Sequence, residues 1–191
     1  MWLKFLIIAL LFFVAALMQV SFLPHFNIMG VVPNLVFILF FILIFFGEPA
    51  DSDQGKQNEY YDIFFLVIVA GFFSDIFLHS YFGLSIIALS VVYYFKKLAV
   101  YFMGEVKDKY FIFYFIPIFL ACFTLNDIIL YLFSIFLSFF PRSETPFAGQ
   151  FNFGLVILIS LIYNLIFACV GFYIHKKISD FVNKNRQLKL L

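Results

Sequence analysis

The chain has 191 residues, of which 65% are hydrophobic and 24% aromatic, while only 12% are charged. Soluble domains are about half apolar and about a quarter charged, and disordered chains contain few aromatic residues, so this composition excludes both classes. The formal net charge is +1, which provides no overall basic field to attract nucleic acid. We therefore expect a polytopic membrane protein with membrane lipid, and no nucleic acid, among its partners.

The first apolar stretch, at 5–47, contains no acidic or basic side chain. At 1.5 Å per residue it is about twice as long as the hydrocarbon core of a bilayer is thick, and turn-forming residues interrupt it at 24–32. The sequence therefore predicts two helices, at 5–23 and 33–46, with Pro33 at the first position of the second. The first helix lacks a clear cleavage site, so we interpret it as a retained span.

The rest of the chain divides into apolar segments separated by charged ones. An acidic segment of net charge minus four, at 48–62, is expected to be a flexible cytoplasmic loop, and a basic tail is expected at 176–191. The apolar segments at 63–95 and 110–140 are each too long for one upright helix and short for two. Hydrophobicity alone does not decide how many times they cross.

The placement of Lys and Arg favours six crossings, because cytoplasmic segments are enriched in these residues. If 63–95 is a helical hairpin and 110–140 is one helix, eleven of the twelve Lys and Arg share one side and Arg142 alone faces the other. Five crossings would export the lysines of 96–109 and the basic tail. We therefore predict a single all-α membrane domain with six transmembrane helices and both termini in the cytoplasm. The third and fourth helices would be short, about 16 residues each. The last four helices are predicted at 63–79, 82–97, 110–138 and 152–175.

An acidic residue, Asp75, interrupts the apolar third helix, where an ionised carboxylate costs a few kcal/mol. Ser74 and Ser80 are nearby hydrogen-bond donors, and Gly71 and Gly83 allow another backbone to approach closely. Two interpretations stay open: Asp75 contacts a partner or ligand, or it caps the hairpin and fixes its tight turn.

Three further polar residues lie inside the last two predicted spans: Asn126 and Asp127 in the fifth, and Asn164 in the sixth. Such side chains usually form hydrogen bonds between neighbouring helices. The alternative is an outward polar cavity shared by Asp75, Asp127 and Asn164.

Motifs for catalysis and metal binding are absent from the sequence. Cys122 and Cys169 form no CxxC pair, and His25, His79 and His175 have no second ligand at metal spacing. The sequence also contains no P-loop, dinucleotide fingerprint, GxSxG or HExxH. We therefore expect no metal, no cofactor and no enzymatic activity.

Two motifs resemble those of MreD, the rod shape-determining membrane protein family. One opens the second predicted helix and the other surrounds the turn between the third and fourth, and together they comprise Pro33, Asn34, Leu35, Gly71, Asp75, Ser80, Gly83 and Leu84. The length, the six predicted spans and the cytoplasmic termini agree with that family as well. The chain has His79 and Tyr81 where family members often have Gly and Pro.

The resemblance implies a non-enzymatic scaffold of the cell-wall elongation machinery in the bacterial cytoplasmic membrane. Such a scaffold would bind MreC and help to connect MreB filaments to the peptidoglycan synthases RodA and a class B penicillin-binding protein. The implied fold is similar to that of the substrate-binding component of energy-coupling-factor transporters. Because fold alone does not determine function, a vitamin-binding subunit of a membrane transporter stays open as the alternative.

Overall fold

A computed structural model of the chain describes residues 2–46, 53–77, 82–103, 111–138 and 155–188. These residues are almost entirely helical, as the sequence predicts. The helices are α1 (Trp2–Leu17), continued by a π-helical turn (Met18–Phe22) and a 3₁₀ turn (Leu23–Phe26), α2 (Leu35–Phe46), α3 (Asp53–Phe77), α4 (Leu84–Met103), α5 (Phe111–Ser138) and α6 (Leu155–Leu188).

Four helices among the described residues are long and apolar enough to cross a membrane. They are Leu3–Phe26, Leu84–Phe102, Ile112–Leu137 and Val156–Ile178. Large hydrophobic side chains such as Phe102 and Phe113 are more than two-thirds exposed, as expected where lipid rather than water surrounds the helices. The structure therefore indicates a helical membrane protein.

Helix α2, the shortest of the six α-helices described, lies at the centre of the bundle. It has 12 residues, about 18 Å, and it packs against α1, α3, α5 and α6. Seven of its residues are buried. Its aromatic stripe, with Phe every fourth residue, interleaves with an identical stripe on α5 at ring-centroid distances of 5.0–6.0 Å. The paired stripes are Phe37, Phe41 and Phe45 on α2 and Phe115, Phe119 and Phe123 on α5.

The contacts between helices place one group of charged side chains at a common end of the bundle. Lys4 of α1 pairs with Asp62 of α3, and the Lys96 ammonium of α4 donates to the carbonyl oxygen of Ile44 near the end of α2. At the same end, His175 of α6 stacks on Phe46 at a centroid distance of 4.1 Å. We call this end the lysine end and the opposite one the turn end.

Three helix boundaries correct the prediction. Helix α3 begins at Asp53, inside the predicted acidic loop at 48–62, and α4 continues to Met103 instead of ending at 97. Helix α6 continues to Leu188 through most of the predicted basic tail. Once a packed apolar segment has nucleated a helix, each added residue contributes one more hydrogen bond, so polar flanks without Pro extend the helix readily.

The lengths of the central helices also differ from those predicted. We expected short third and fourth helices, whereas α3 has 25 residues and α4 has 20. The short helix is α2, which begins at Leu35 rather than at Pro33. At each of its two ends, side chains from elsewhere in the bundle form hydrogen bonds with backbone groups.

A tight turn connects the end of α1 to α2, inside the predicted interruption at 24–32. Ile28 and Val31 exchange two backbone hydrogen bonds of 3.1 and 3.0 Å across Met29 and Gly30. Both turn residues have positive φ, 52° and 80°, which suits Gly but costs a residue with a Cβ atom. Asn27 closes the preceding 3₁₀ turn by donating through Nδ2 to the Pro24 carbonyl oxygen.

Candidate functional site

One carboxylate holds the beginning of α4. The backbone N–H of Gly83 donates to Oδ2 of Asp75 at 2.6 Å, and the N–H of Ser85 donates to Oδ1 at 3.0 Å. The Gly83 carbonyl oxygen accepts from the N–H of Ile87, so Gly83 is the N-cap residue of α4. Asp75 is only 2% exposed, and its negative charge also suits the positive end of the helix dipole. Asp75 therefore ties the last turn of α3 to the first turn of α4.

The two glycines of this hairpin have different roles. A Cβ atom on Gly71 would lie 2.7 Å from the backbone nitrogen and Cα of Ile86, so α3 and α4 touch there through their backbones. A Cβ atom on Gly83 would meet nothing within 4 Å, but this residue has a φ of +95°. Gly71 therefore permits close packing, and Gly83 permits the backbone conformation of the turn. Ser80, the remaining residue predicted for this motif, lies outside the described residues.

Three side chains hold the beginning of α2. Asn34 is its N-cap residue, because Oδ1 accepts from the N–H of Phe37 at 3.0 Å and its carbonyl oxygen accepts from Ile38. The N–H of Asn34 itself donates to Oδ1 of Asn164 on α6 at 2.7 Å. The N–H of Val36 donates to Oε1 of Gln19 in the π-helical turn that follows α1, at 3.2 Å.

This arrangement corrects the position assigned to Pro33, which precedes the N-cap residue instead of occupying the first helical position. Pro33 is fully buried, and its missing N–H removes a donor that would otherwise need a partner inside the bundle. Asn164 is 1% exposed and Gln19 is 6% exposed. Both amides are therefore enclosed by protein where they meet α2.

The opposite end of α2 is held by α4. The Lys96 ammonium donates to the Ile44 carbonyl oxygen at 2.8 Å, one of the terminal carbonyl groups that a helix leaves without an internal partner. A cation at this position also complements the negative end of the helix dipole. Helix α2 is thus capped at both ends by side chains of other helices.

The beginnings of α2 and α4 lie at similar distances from the lysine end. Along its own helix, Gly83 is about 20 Å from Lys96, and Asn34 is about 15 Å from Ile44. The hydrogen bond between Lys96 and Ile44 fixes the two helices at the same level there. Both capped N-termini therefore belong to the turn end of the bundle.

The other polar residues singled out in the sequence have separate partners. Asn126 is 3% exposed and donates to Oδ1 of the adjacent Asp127 at 3.4 Å. Asn164 donates through Nδ2 to the carbonyl oxygen of Ser160 at 2.8 Å, in addition to its bond with α2. Asp75, Asp127 and Asn164 each have a hydrogen bond with a different group, and a polar cavity shared by the three stays a prediction.

Among the described residues, no three His, Cys, Asp or Glu side chains are placed together so that they could hold a metal ion. Cys122 is buried and Cys169 is partly buried, both as free thiols.

Two contacts of the site were missed from the sequence. Gln19 is the one amide residue within the apolar stretch at 5–23, which is a usable signal that it has a polar partner. Lys96, at the end of the predicted fourth helix, was used only as one of the cations that indicate the cytoplasmic side. Its contact with α2 depends on the tertiary register of two helices that are far apart in the sequence, so no local pattern reveals it.

Comparisons with models of protein families, with curated proteins and with solved structures found no match for this chain.

Proposed function

We propose that this protein is a membrane scaffold of the MreD type, which controls rod cell shape as part of the cell-wall elongation machinery. In this role it binds MreC and links MreB filaments to the peptidoglycan synthases RodA and a class B penicillin-binding protein. It lies in the bacterial cytoplasmic membrane, with six spans and both termini in the cytoplasm. Its arrangement of helices would be similar to that of the substrate-binding component of energy-coupling-factor transporters.

The observation that carries this proposal is the pair of hydrogen bonds from Gly83 and Ser85 to Asp75. Residues that resemble the family motif thus have a defined role: they tie the end of α3 to the beginning of α4. Next to the cap, Phe82 is 72% exposed and presents an aromatic side chain at the turn end. An exposed aromatic residue beside a helix start that is held in this way is suited to bind a protein partner, because little conformational entropy of that helix start is lost on binding.

The position of the charged side chains supports the proposed orientation. Lys4, Lys96 and the start of the basic extension of α6 belong to the lysine end, and the capped N-termini belong to the other. Under the preference of Lys and Arg for the cytoplasmic side, the α3–α4 turn faces outward. The membrane-proximal part of MreC is then the expected partner of this turn.

Depleting the protein from its host and imaging the cells tests the cellular role. The proposal predicts rounded or widened cells and dispersed sites of wall synthesis. Unchanged cell width and unchanged wall-synthesis patterning would contradict it.

Co-purification with MreC tests the binding site. Replacing Phe82 with Ser removes the exposed ring and leaves the cap atoms in place, so we expect weaker recovery of MreC from a folded protein. Ile76, which is 48% exposed beside Asp75, offers a matched control as Ile76→Ser. Undiminished recovery of MreC by Phe82→Ser, Asp75→Ala and Gly83→Leu together would remove the turn from the interface.

A further inference from the structure

In the hairpin of α3 and α4, the uncharged part of each helix is much shorter than the helix itself. On α3, twelve residues separate Asp62, which pairs with Lys4, from the capping carboxylate of Asp75. On α4, twelve residues separate Gly83 from Lys96. At 1.5 Å per residue, these charges and caps lie about 20 Å apart along each helix. The hydrocarbon core of a typical bilayer is about 30 Å thick, so the hairpin is about 10 Å too short for it.

The polar groups that bound this short hairpin are held in place. A span that is too short is accommodated by extension of its flanking side chains, by oligomerisation or by thinning of the bilayer. The Lys96 ammonium is bonded to the Ile44 carbonyl oxygen, and the Asp75 carboxylate is bonded to the backbone at the start of α4, so neither can extend towards the headgroups. Tilting would shorten the span further. Thinning and oligomerisation are therefore the two remaining solutions.

The lipid-facing surface of α6 is longer than that of the hairpin. Helix α6 extends from His175 at the lysine end to Leu155, a distance of about 30 Å. Every fourth residue along it is more than half exposed and apolar, and these residues are Leu158, Ile162, Ile166, Val170 and Ile174. The side of the bundle that carries α6 therefore matches a bilayer of ordinary thickness.

Contacts of α6 with the beginning of α2 show that the two sides differ at the turn end. Oδ1 of Asn164 accepts from the N–H of Asn34, so this residue of α6 lies level with the beginning of α2. From there α6 continues for about 14 Å to Leu155, beyond the level at which α2 and α4 begin. The apolar surface of the bundle therefore extends further on the α6 side than on the side of the hairpin.

The turn between α1 and α2 lies near the same level as the capped N-termini. The Tyr163 hydroxyl of α6 donates to the Phe26 carbonyl oxygen at 2.9 Å. The residues at 24–30 are all exposed, and the polar side chains of His25 and Asn27 are among them. Lipid-exposed irregular backbone does not occur within the hydrocarbon region, because its polar groups would lack partners there. Headgroups or water must therefore reach this level, which favours thinning.

We propose that this protein thins the bilayer by about 10 Å beside the α3–α4 hairpin. The headgroups at the turn end are drawn down to the capped N-termini there, while the bilayer keeps its ordinary thickness beside α6. The surface of the hairpin is thus matched to phospholipid with short or disordered acyl chains. This inference does not depend on MreC binding, because it concerns only the protein and its lipid.

Fluorescence quenching in vesicles of dioleoylphosphatidylcholine tests the proposal with the purified full-length protein. In a chain with Cys122→Ala and Cys169→Ala, single cysteines that carry a bimane label replace Phe82, Tyr94 or Ile162, which are 72%, 69% and 51% exposed. The quencher is a phospholipid with a nitroxide either at its headgroup or at the middle of its acyl chain. We expect the headgroup nitroxide to quench the labels at 82 and 94 about twofold more strongly than the acyl nitroxide, and the reverse at 162.

Position 162 is the matched control, because Phe82 and Ile162 both lie close to the level at which α2 and α4 begin. A bilayer of uniform thickness would give these two labels the same depth, and that result would overturn the proposal. A shallow label at 82 with a deep one at 94 would show that the protein tilts instead, and would also overturn it. Protection of the label at 82 from both nitroxides would mean that a second copy covers the hairpin, which would replace thinning by oligomerisation. Circular dichroism of each labelled protein verifies that the helices remain folded.

Discussion

Helices α2 and α4 begin at the same end of the bundle and need the same two backbone donors satisfied, yet they obtain their acceptors from different places. In both helices the donors are the N–H groups of the N-cap residue and of the second helical residue. At α4 one carboxylate, Asp75 of the preceding helix, accepts from Gly83 and Ser85. At α2 two amides from different helices each accept one hydrogen bond, Asn164 from Asn34 and Gln19 from Val36.

The difference shows how a helix can begin inside a membrane protein. Each N–H left without an acceptor in an apolar environment costs several kcal/mol, so a helix end there requires acceptors nearby. A hairpin supplies them locally, because the preceding helix ends beside the next one. At α2 the preceding helical segment supplies only Gln19, and the second acceptor is Asn164 of α6, so the complete cap forms only when α6 is also packed against α2. The α4 cap therefore stabilises a hairpin, and the α2 cap stabilises the assembled bundle.

The largest expected effect is that of removing the α4 cap. Asp75→Leu leaves two buried donors unsatisfied and removes two hydrogen bonds to a charged group, so we expect the free energy of unfolding to fall by about 3 kcal/mol. Asp75→Asn retains one acceptor oxygen and should lose about half as much. Unfolding in mixed micelles, followed by circular dichroism, measures both. A loss below about 1 kcal/mol for the leucine variant would show that the carboxylate is not the cap.

Removing one of the α2 acceptors should have a smaller effect. Asn164→Leu leaves the N–H of Asn34 without its acceptor at a position that is 1% exposed, and we expect a loss of about 2 kcal/mol in the same assay. Ile166→Ala, at a position on α6 that is 54% exposed, is the control and should change stability by less than about 0.5 kcal/mol. Equal effects of the two variants would contradict the account of the α2 cap.

Double variants test whether the caps of α2 and α4 act separately. Gln19→Leu and Asn164→Leu act on neighbouring N–H groups of one helix end, so their effects should be coupled by about 0.5–1 kcal/mol. Asp75→Leu and Asn164→Leu share no partner and should add within about 0.5 kcal/mol. The reverse pattern would mean that the two N-termini form one cooperative unit instead of two separate ones.

Two further effects, of opposite sign, concern the backbone before each helix. Met29 adopts a φ of 52° in the turn before α2, and Gly83 adopts a φ of 95° before α4. Met29→Gly should raise the free energy of unfolding by about 0.5–1 kcal/mol, because it removes the strain of a Cβ atom in the left-handed region. Gly83→Ala should lower it by about 1–2 kcal/mol for the same reason. Thermal unfolding of the two variants checks these signs, and matching signs would contradict the assigned conformations.

The same comparison explains which features the sequence revealed. Asp75 is an acidic residue inside an apolar helix and lies eight residues before a glycine. A cap of the hairpin turn was therefore one of its two interpretations. Pro33 and Asn34 placed the beginning of α2 within two residues. These signals are local, since each residue lies within one hairpin or one helix end.

Contacts that depend on tertiary packing were not accessible in this way. The bond between Asn34 and Asn164 joins residues 130 positions apart, and that between Lys96 and Ile44 joins residues 52 apart. The extension of α3 to Asp53 likewise follows from the packing of its apolar part, whereas composition favoured a loop. Asn164 was identified as a polar contact between helices, but its partner on α2 was not.

Cysteine labelling in intact cells tests the central claim most directly, that the capped turn and the lysine end face opposite sides of the membrane. The background chain carries Cys122→Ala and Cys169→Ala, and single cysteines replace Phe82 at the turn end or Lys177 on α6, which are both exposed. We predict that a membrane-impermeant maleimide labels the cysteine at 82 in intact cells and labels the one at 177 only after permeabilisation. Labelling of both positions from the outside, or of 177 alone, would contradict the account.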